Sequence, residues 1–193
     1  MRYTKWSLVL LTIMMVLFGI LRSEQSAWWN ILAWTARNSA TFAPVLAVLL
    51  WRGATRSAAL AAMVAGFAAG MLWYQLSGWG VANFAFGIHP VWMGMSVNIA
   101  VLVLVSLVTT PQGWNLSSGI LRHAAVALLI CGISLGLAMY AAFGALQPTG
   151  LLGLILFSAS LSLALGIMFL LRPLQSGAAV NHVTPISPVH SSS

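Results

Sequence analysis

Charged residues are so scarce in this chain that they cannot cover a water-facing surface. They make up 5% of the 193 residues, whereas hydrophobic residues make up 61%. A soluble domain carries about 25% charged residues. Glu24 is the only acidic residue, against eight lysines and arginines. The composition therefore predicts a protein that has lipid as its solvent and at most one carboxylate for acid–base or cation-binding chemistry.

Six apolar segments divide the chain, and each is close to the length of a membrane-spanning helix, which needs roughly 20 apolar residues. The segments cover residues 6–21, 28–51, 57–76, 90–109, 120–143 and 150–171. Their apolar residues are continuous rather than alternating, which favours helices over the strands of a membrane barrel. We therefore expect an all-α integral membrane protein with about six transmembrane helices in a lipid bilayer.

The basic residues predict how these helices are oriented. If the N-terminus is cytoplasmic, six of the seven loop cations also lie on the cytoplasmic side, as the positive-inside rule requires. The six are Arg2, Lys5, Arg52, Arg56, Arg122 and Arg172, and the exception is Arg22. Both termini are then cytoplasmic, in a multi-pass protein of a cell membrane such as the bacterial inner membrane. A cleaved signal peptide over the first segment is the alternative, but no small-x-small site follows it at a suitable distance.

Several further features narrow the function. The cations are scattered rather than clustered, so we expect no nucleic-acid partner. Residues 173–193 are rich in proline and serine and predict a disordered cytoplasmic tail. Its two histidines, His182 and His190, are too isolated to predict a metal site. Because the chain also lacks a recognisable nucleophile–base arrangement, we do not expect an enzyme.

The second segment is the most polar and supplies the candidate functional residues. Arg37 lies near the middle of this segment, where an arginine is costly in lipid and should face protein or water. It is a candidate for an anion contact or a gate, and the alternative is a structural arginine bonded to carbonyls of neighbouring helices. Asn98 in the fourth segment and Ser39 or Thr41 could share those hydrogen bonds, and Pro44 could bend the helix one turn later. The candidate substrate or gate residues are Arg37, Asn38, Ser39, Thr41 and Asn98.

Small residues recur at four-residue spacing in three segments and predict close helix packing. The third segment has Ala58 and Ala62 followed by Gly66 and Gly70, and the sixth has a serine–glycine stripe. The fifth segment contains Gly132 and Gly136. Stripes of this kind indicate contacts between helices and say little about activity.

Residues 42–66 read FAPVLAVLLWRGATR followed by SAALAAMVAG, and two shorter stretches follow, GIHPV at 87–91 and SLVT at 106–109. This order of motifs resembles the C-terminal part of the sodium:solute symporter family, over about residues 1–111. That family has a cytoplasmic loop of the form W-R-R-A-T-R followed by a small-residue helix. The matching positions are Trp51, Arg52, Ala54, Thr55, Arg56, Ala58, Leu60, Ala61, Met63 and Gly66.

The resemblance implies part of a LeuT-like inverted-repeat architecture, in which sodium and substrate bind at broken helices. Those helices come earlier in the family's chain, so no ion or substrate residue carries over to this sequence. Segments 120–143 and 150–171 match no part of the family and form two additional helices of residues 112–172. The resemblance therefore implies a truncated or split symporter that takes sodium only if a partner, such as an N-terminal symporter half, supplies the site. The alternative is a small accessory or scaffolding subunit of another membrane protein, and a symporter-like sensor kinase is disfavoured because no kinase region follows.

Overall fold

The computed structural model describes residues 2–21, 26–79, 84–110 and 113–174 of the chain. Within these ranges the protein is all-α, with single 3₁₀ turns at Ala85–Gly87 and Gln147–Thr149 and one short two-stranded ribbon. The helices are α1 (Arg2–Leu21), α2 (Ser26–Leu50), α3 (Arg56–Leu76), α4 (Pro90–Thr109), α5 (Ile120–Ala141), α6 (Phe143–Leu146) and α7 (Leu152–Leu170). The strands are β1 (Trp114–Leu116) and β2 (Leu171–Pro173).

Four helices in the described part of the chain are long and apolar enough to cross a membrane, namely α3, α4, α5 and α7. They correspond to the last four of the six segments expected from the sequence. The helix α2 contains a polar stretch around Arg37, and α1 contains the shorter apolar stretch Leu8–Leu17. Four candidate spans indicate a multi-pass membrane protein associated with the lipid bilayer.

The helices pack as two groups that meet along α4. The helices α2, α3 and α4 pack against one another, α5 packs against α7, and α7 also contacts α4. The buried core shared by these groups is formed by Ala43, Ala47, Trp51, Ala62, Ile99, Leu102, Val103, Ala164 and Met168. Small alanines on α2 and α3 let the helix backbones approach closely, while larger residues of α4 fill the space between them.

Large apolar side chains cover the outer surface of the helices. Val48 of α2 is 84% exposed and Val108 of α4 is 85% exposed, and every described side chain of α1 is exposed. In water such a continuous apolar surface would drive association. In a bilayer it is the expected surface, because lipid tails solvate it.

The connecting segments gather at two opposite ends of the helices. At one end, Trp51 stacks on Trp114 with ring centroids 5.3 Å apart, and its Nε1 donates to the carbonyl oxygen of Leu171 at 3.0 Å. At the other end, Phe86 and Phe143 pack edge-on with their ring centroids 6.2 Å apart. Arg52, Arg122 and Arg172 belong to segments at the first end, whereas residues 77–89 and 142–151 contain no lysine or arginine.

The ribbon was not expected from the sequence. Strand β1 pairs with β2 in antiparallel register, with Asn115 opposite Arg172 and Trp114 opposite Pro173. The prediction that the tail is disordered from Pro173 onward was therefore wrong at its start, because Pro173 lies in a strand whose partner comes from a distant loop. Residues 175–193, which hold the rest of that predicted tail, lie outside the described residues, as do Met1, Arg22 and Glu24.

Candidate functional site

The carboxamide of Asn98 forms a polar junction between α2, α3 and α4. Pro44 has no N–H group, so the carbonyl oxygen of Ala40 lacks its usual donor four residues later in α2. The Nδ2 atom of Asn98 donates to that oxygen at 3.1 Å and to the carbonyl oxygen of Ala62 in α3 at 2.6 Å. Its Oδ1 atom accepts from the backbone N–H of Ala43 at 2.7 Å. A buried side chain of α4 thus replaces the hydrogen bonding that the proline disrupts in α2.

Ser39 lies beside this junction, where three helix backbones come together. Its side chain is completely buried, and its Oγ atom has no hydrogen-bond partner in the described structure. A Cβ atom on Gly66 would overlap the carbonyl oxygen of Ser39, and one on Gly94 would overlap its Oγ atom. A Cβ atom on Gly70 would lie 3.1 Å from the same Oγ atom. Glycine is therefore required at Gly66 and Gly94 by the closeness of the helices rather than by backbone conformation.

A second set of polar and aromatic residues continues along the buried faces of α2 and α3. Thr35 and Tyr74 are both fully buried, and their hydroxyl oxygens are 3.4 Å apart. The ring of Tyr74 packs edge-on against the imidazole of His89, with centroids 6.4 Å apart. Thr35, Ser39 and Ala43 are spaced by four residues, so they share the inward face of α2. Sequence reasoning identified Ser39 and Asn98 but missed Thr35, Tyr74 and His89.

His89 closes this row at the start of α4. It is the N-cap of the helix, and its Nδ1 atom accepts a hydrogen bond from the backbone N–H of Val91 at 3.2 Å. The ring is half-buried beside Phe84, with ring centroids 4.6 Å apart. Burial lowers the pKa of His89 below its usual value of 6.5, because a charged ring loses hydration there. The neutral imidazole is therefore the form that fits this position.

The other predicted polar residues of α2 lie on a different face. Arg37 and Thr41 are exposed, and Asn38 is partly buried. The Oγ1 atom of Thr41 donates to the backbone oxygen of Arg37 at 2.9 Å, and Nδ2 of Asn38 donates to that of Trp34 at 2.7 Å. The prediction that Ser39, Thr41 and Asn98 share hydrogen bonds with the Arg37 side chain was wrong. Residues 37 and 39 are about 200° apart around a helix, so their side chains point in different directions.

The residues of the loop motif occupy the end of the molecule that holds the ribbon. Trp51 is buried there, and Arg52 and Arg56 are exposed. The Oγ1 atom of Thr55 accepts from the N–H of Ala58 at 3.2 Å, which caps α3, and it lies 2.7 Å from Oγ1 of Thr109. Ala54 and Thr55 are the last residues of the loop. Just before them, the carbonyl oxygen of Gly53 accepts a hydrogen bond from Oγ1 of Thr110 at 3.2 Å. These contacts give the motif a clear role in joining α2, α3 and the end of α4.

The two predicted packing glycines of α5 have different surroundings. A Cβ atom on Gly132 would lie 2.7 Å from the side chain of Leu163 in α7 and 3.0 Å from the backbone oxygen of Ala159. No described atom of another element lies within 4 Å of the corresponding position on Gly136. The close contact between α5 and α7 therefore involves Gly132 but not Gly136.

The Asn98 junction contains only neutral polar groups. It offers an amide, hydroxyls and backbone carbonyls, and the described residues contain no group of three or more histidine, cysteine or acidic side chains that could hold a metal ion. The amide hydrogens and the amide oxygen of Asn98 are all bonded to backbone. As it stands, the junction holds three helices together rather than presenting open ligands.

Comparison with known proteins adds no relative to these observations: no protein-family model, curated protein or solved structure matches this chain. The class that the fold defines is an all-α protein with four candidate membrane spans among the residues that the structure describes.

Proposed function

We propose that this chain is one subunit of a membrane transport assembly, equivalent to the C-terminal part of a sodium:solute symporter whose ion and substrate sites lie in a partner. The observation that carries the proposal is the position of Arg37. It lies midway along α2 on an exposed face, and no described residue forms a hydrogen bond or ion pair with its guanidinium. An arginine at membrane depth requires polar partners or water, so a second chain that faces this side of α2 is expected.

The charge of Arg37, rather than the apolar surface around it, favours a protein partner over lipid, because lipid tails can cover that surface but offer the guanidinium no hydrogen-bond acceptor. Trp34 is 46% exposed and Val45 is 58% exposed on the same side of the helix, so an apolar surface surrounds the cation. A transmembrane helix with a carboxylate or free carbonyl oxygens at the same depth would neutralise the cation and cover this surface. Glu24, the chain's only acid, precedes the start of α2 by two residues and is far from Arg37 in sequence.

In this proposal α1 and α2 are also membrane-spanning, which brings the total to six spans with both termini in the cytoplasm of a bacterial cell. The loop motif at residues 51–56 supports the link to symporters, because it joins α2 to α3 at the end of the molecule that carries the cations. Sodium would bind neutral oxygens supplied largely by the partner, since the polar groups of Asn98 are already used within the chain.

A second candidate function is an accessory or scaffolding subunit without transport activity. The observation that favours it is the close packing around Ser39, where glycines on α3 and α4 leave no room for added atoms. A closely packed bundle in which the Asn98 amide is fully bonded suits a structural role. Both functions require a partner at Arg37, and they differ in whether the partner contains half of a symporter.

Transport measurements separate the two functions. We expect the purified chain in liposomes to show no uptake of solute driven by a sodium gradient, and we expect uptake when it is reconstituted with an N-terminal symporter half encoded by a neighbouring reading frame. Arg37→Leu should abolish both that uptake and the copurification of the two chains. The control variant Arg56→Leu, at the end of the bundle, should preserve uptake and copurification. Robust uptake by the chain alone would contradict the proposal, and stable copurification without uptake would favour the accessory function.

A further inference from the structure

A cavity of about 510 Å³ opens where α2, α5 and α7 reach the end of the molecule that carries the cations. Its wall is formed by Leu50, Trp51, Arg52, Leu121, Met168, Phe169, Arg172 and Pro173. Leu50 is the last residue of α2, Leu121 is the second residue of α5, and Met168 and Phe169 lie in the last turn of α7. The cavity therefore lies at the level where the apolar helix surfaces meet the polar loops.

The polar part of the cavity is suited to an anion. Arg52 and Arg172 both line it and both are exposed. The indole N–H of Trp51 is already used, since it donates to the carbonyl oxygen of Leu171. The described residues contain no aspartate or glutamate, and Glu24 lies before the start of α2 whereas the cavity lies at its end. Two arginines thus face one cavity with no carboxylate of the described chain to neutralise them.

The apolar part of the cavity favours a lipid as the source of that anion. Leu50 is 45% exposed and Leu121 is 38% exposed, so the cavity wall continues into the outer surface that acyl chains cover. A free phosphate ion would leave this apolar wall unused. Basic pockets between transmembrane helices on the cytoplasmic side are suited to anionic headgroups, and arginine binds phosphate oxygens through two parallel hydrogen bonds.

We propose that this cavity binds the headgroup of an anionic phospholipid, with Arg52 and Arg172 on the phosphate and the acyl chains along Leu50 and Leu121. This binding site is independent of the proposed transport function and requires no second protein. It would tie the loop between α2 and α3 to the ribbon and to α5 through one lipid molecule. The expected consequence is that the lipid stabilises the end of the bundle where the connecting segments meet.

Native mass spectrometry of the purified full-length chain tests this binding. The protein in detergent is titrated with phosphatidylglycerol, with phosphatidylcholine of the same acyl chains, and with inorganic phosphate. We expect one phosphatidylglycerol molecule to bind more tightly than phosphatidylcholine. Arg52→Gln and Arg172→Gln should each weaken it about fivefold, and the double variant about thirtyfold. Arg56→Gln removes a charge at the same end of the molecule but outside the cavity and should change binding by less than about twofold.

Each alternative result overturns the proposal in a recognisable way. Equal binding of the two lipids would show that the headgroup charge is not recognised. Saturable binding of inorganic phosphate, lost in the double variant, would show an anion site that does not need a lipid. An equal loss of binding in Arg56→Gln would show attraction to the general charge of this end. Circular dichroism and gel filtration identify any variant that fails to fold. If Arg52→Gln does not fold, lipid binding is measured with Arg52→Lys instead. This variant keeps the positive charge and should retain binding of phosphatidylglycerol.

Discussion

One carboxamide of α4 bonds to two other helices at the point where one of them contains a proline. Asn98 bonds to Ala40 and Ala43 of α2 and to Ala62 of α3, while its own backbone belongs to α4. Pro44 creates the need for this arrangement, because it removes the donor that would otherwise bond to Ala40. In a bilayer no water is present to take that role. The pair Pro44 and Asn98 therefore acts as a unit, although 54 residues separate them.

Replacing Asn98 should test this unit directly. Asn98→Ala leaves two carbonyl oxygens and one N–H without a side-chain partner, and we expect the free energy of unfolding in mixed detergent micelles to fall by about 2 kcal/mol. Asn38→Ala is the matched control, because its amide bonds only to the backbone of its own helix, at Trp34. The control should lie within about 0.5 kcal/mol of the natural protein. Equal losses in the two variants would contradict the role given to Asn98.

His89 should make the stability of the protein depend on pH. Burial lowers its pKa in the folded state, so the unfolded chain binds the proton more readily. The stabilising effect of the neutral ring is complete above pH 6.5 and is lost as the pH falls from 6.5 through the lower pKa of the folded state. Protonation of Nδ1 would also remove the acceptor for the Val91 N–H. We therefore expect the thermal midpoint in detergent to fall between pH 7.5 and pH 5.

A variant that keeps the cap but cannot titrate isolates this effect. Asn is a good N-cap residue, so His89→Asn should retain the helix start and flatten the dependence of the midpoint on pH. His123→Gln changes an exposed histidine and should leave that dependence in place. If His89→Asn showed the same fall as the natural protein, another group would be responsible.

The helix α3 presents a continuous row of small residues to its neighbours. Ala58, Ala62, Gly66, Gly70 and Tyr74 are its buried residues, each four positions after the last. The spacing places them in a row along one side of the helix, and the absence of side-chain bulk lets α2 and α4 approach. The row ends in a large residue, Tyr74, where Phe84 and Trp79 pack around its ring.

Two glycine-to-alanine changes in different helices should have different effects on stability. In Gly66→Ala the new methyl group would overlap Ser39 and come 2.6 Å from Cβ of Asn98, so we expect a loss of about 1 to 3 kcal/mol in unfolding free energy. In Gly136→Ala the methyl group meets no described atom of another element, and the higher helix propensity of alanine should leave stability unchanged or raise it by up to about 1 kcal/mol. Similar losses of unfolding free energy in the two variants would contradict the conclusion that close helix packing requires glycine at position 66.

The sequence predicted the helices well because their signal is long, and it missed the ribbon because that signal is short. A segment of 20 predominantly apolar residues without a charge, as in α4, has few alternatives in lipid. The strands β1 and β2 have three residues each and come from distant parts of the chain, so no periodicity exposes them. In the candidate site the sequence identified Asn98 and Ser39 by their polarity. The sequence could not identify the partners of Asn98, because they are backbone groups of alanines, and an alanine side chain does not indicate that its backbone is hydrogen-bonded to a side chain.

The connecting segments that the structure describes divide into one end with arginines and one end without, while the exception expected from the sequence, Arg22, lies outside the described residues. Residues 51–55, 113–119 and 171–174 contact one another at the first end through Trp51, Trp114 and the ribbon. Residues 84–89 and 142–151 meet at the second end. Because a membrane lies between the two ends, the distribution of cations predicts that the first end faces the cytoplasm.

Single cysteines at the two ends should reveal this orientation. Cys131, the only natural cysteine, is first replaced with alanine to remove its thiol from the middle of α5. Thr149 and Ser118 are both exposed, at the second and the first end respectively. In intact cells a membrane-impermeant thiol reagent should label Thr149→Cys at once and Ser118→Cys only after permeabilisation. The reverse labelling pattern would place the arginines outside and contradict the positive-inside orientation. Labelling of both cysteines in intact cells would contradict a fixed orientation with the two ends on opposite sides of the membrane.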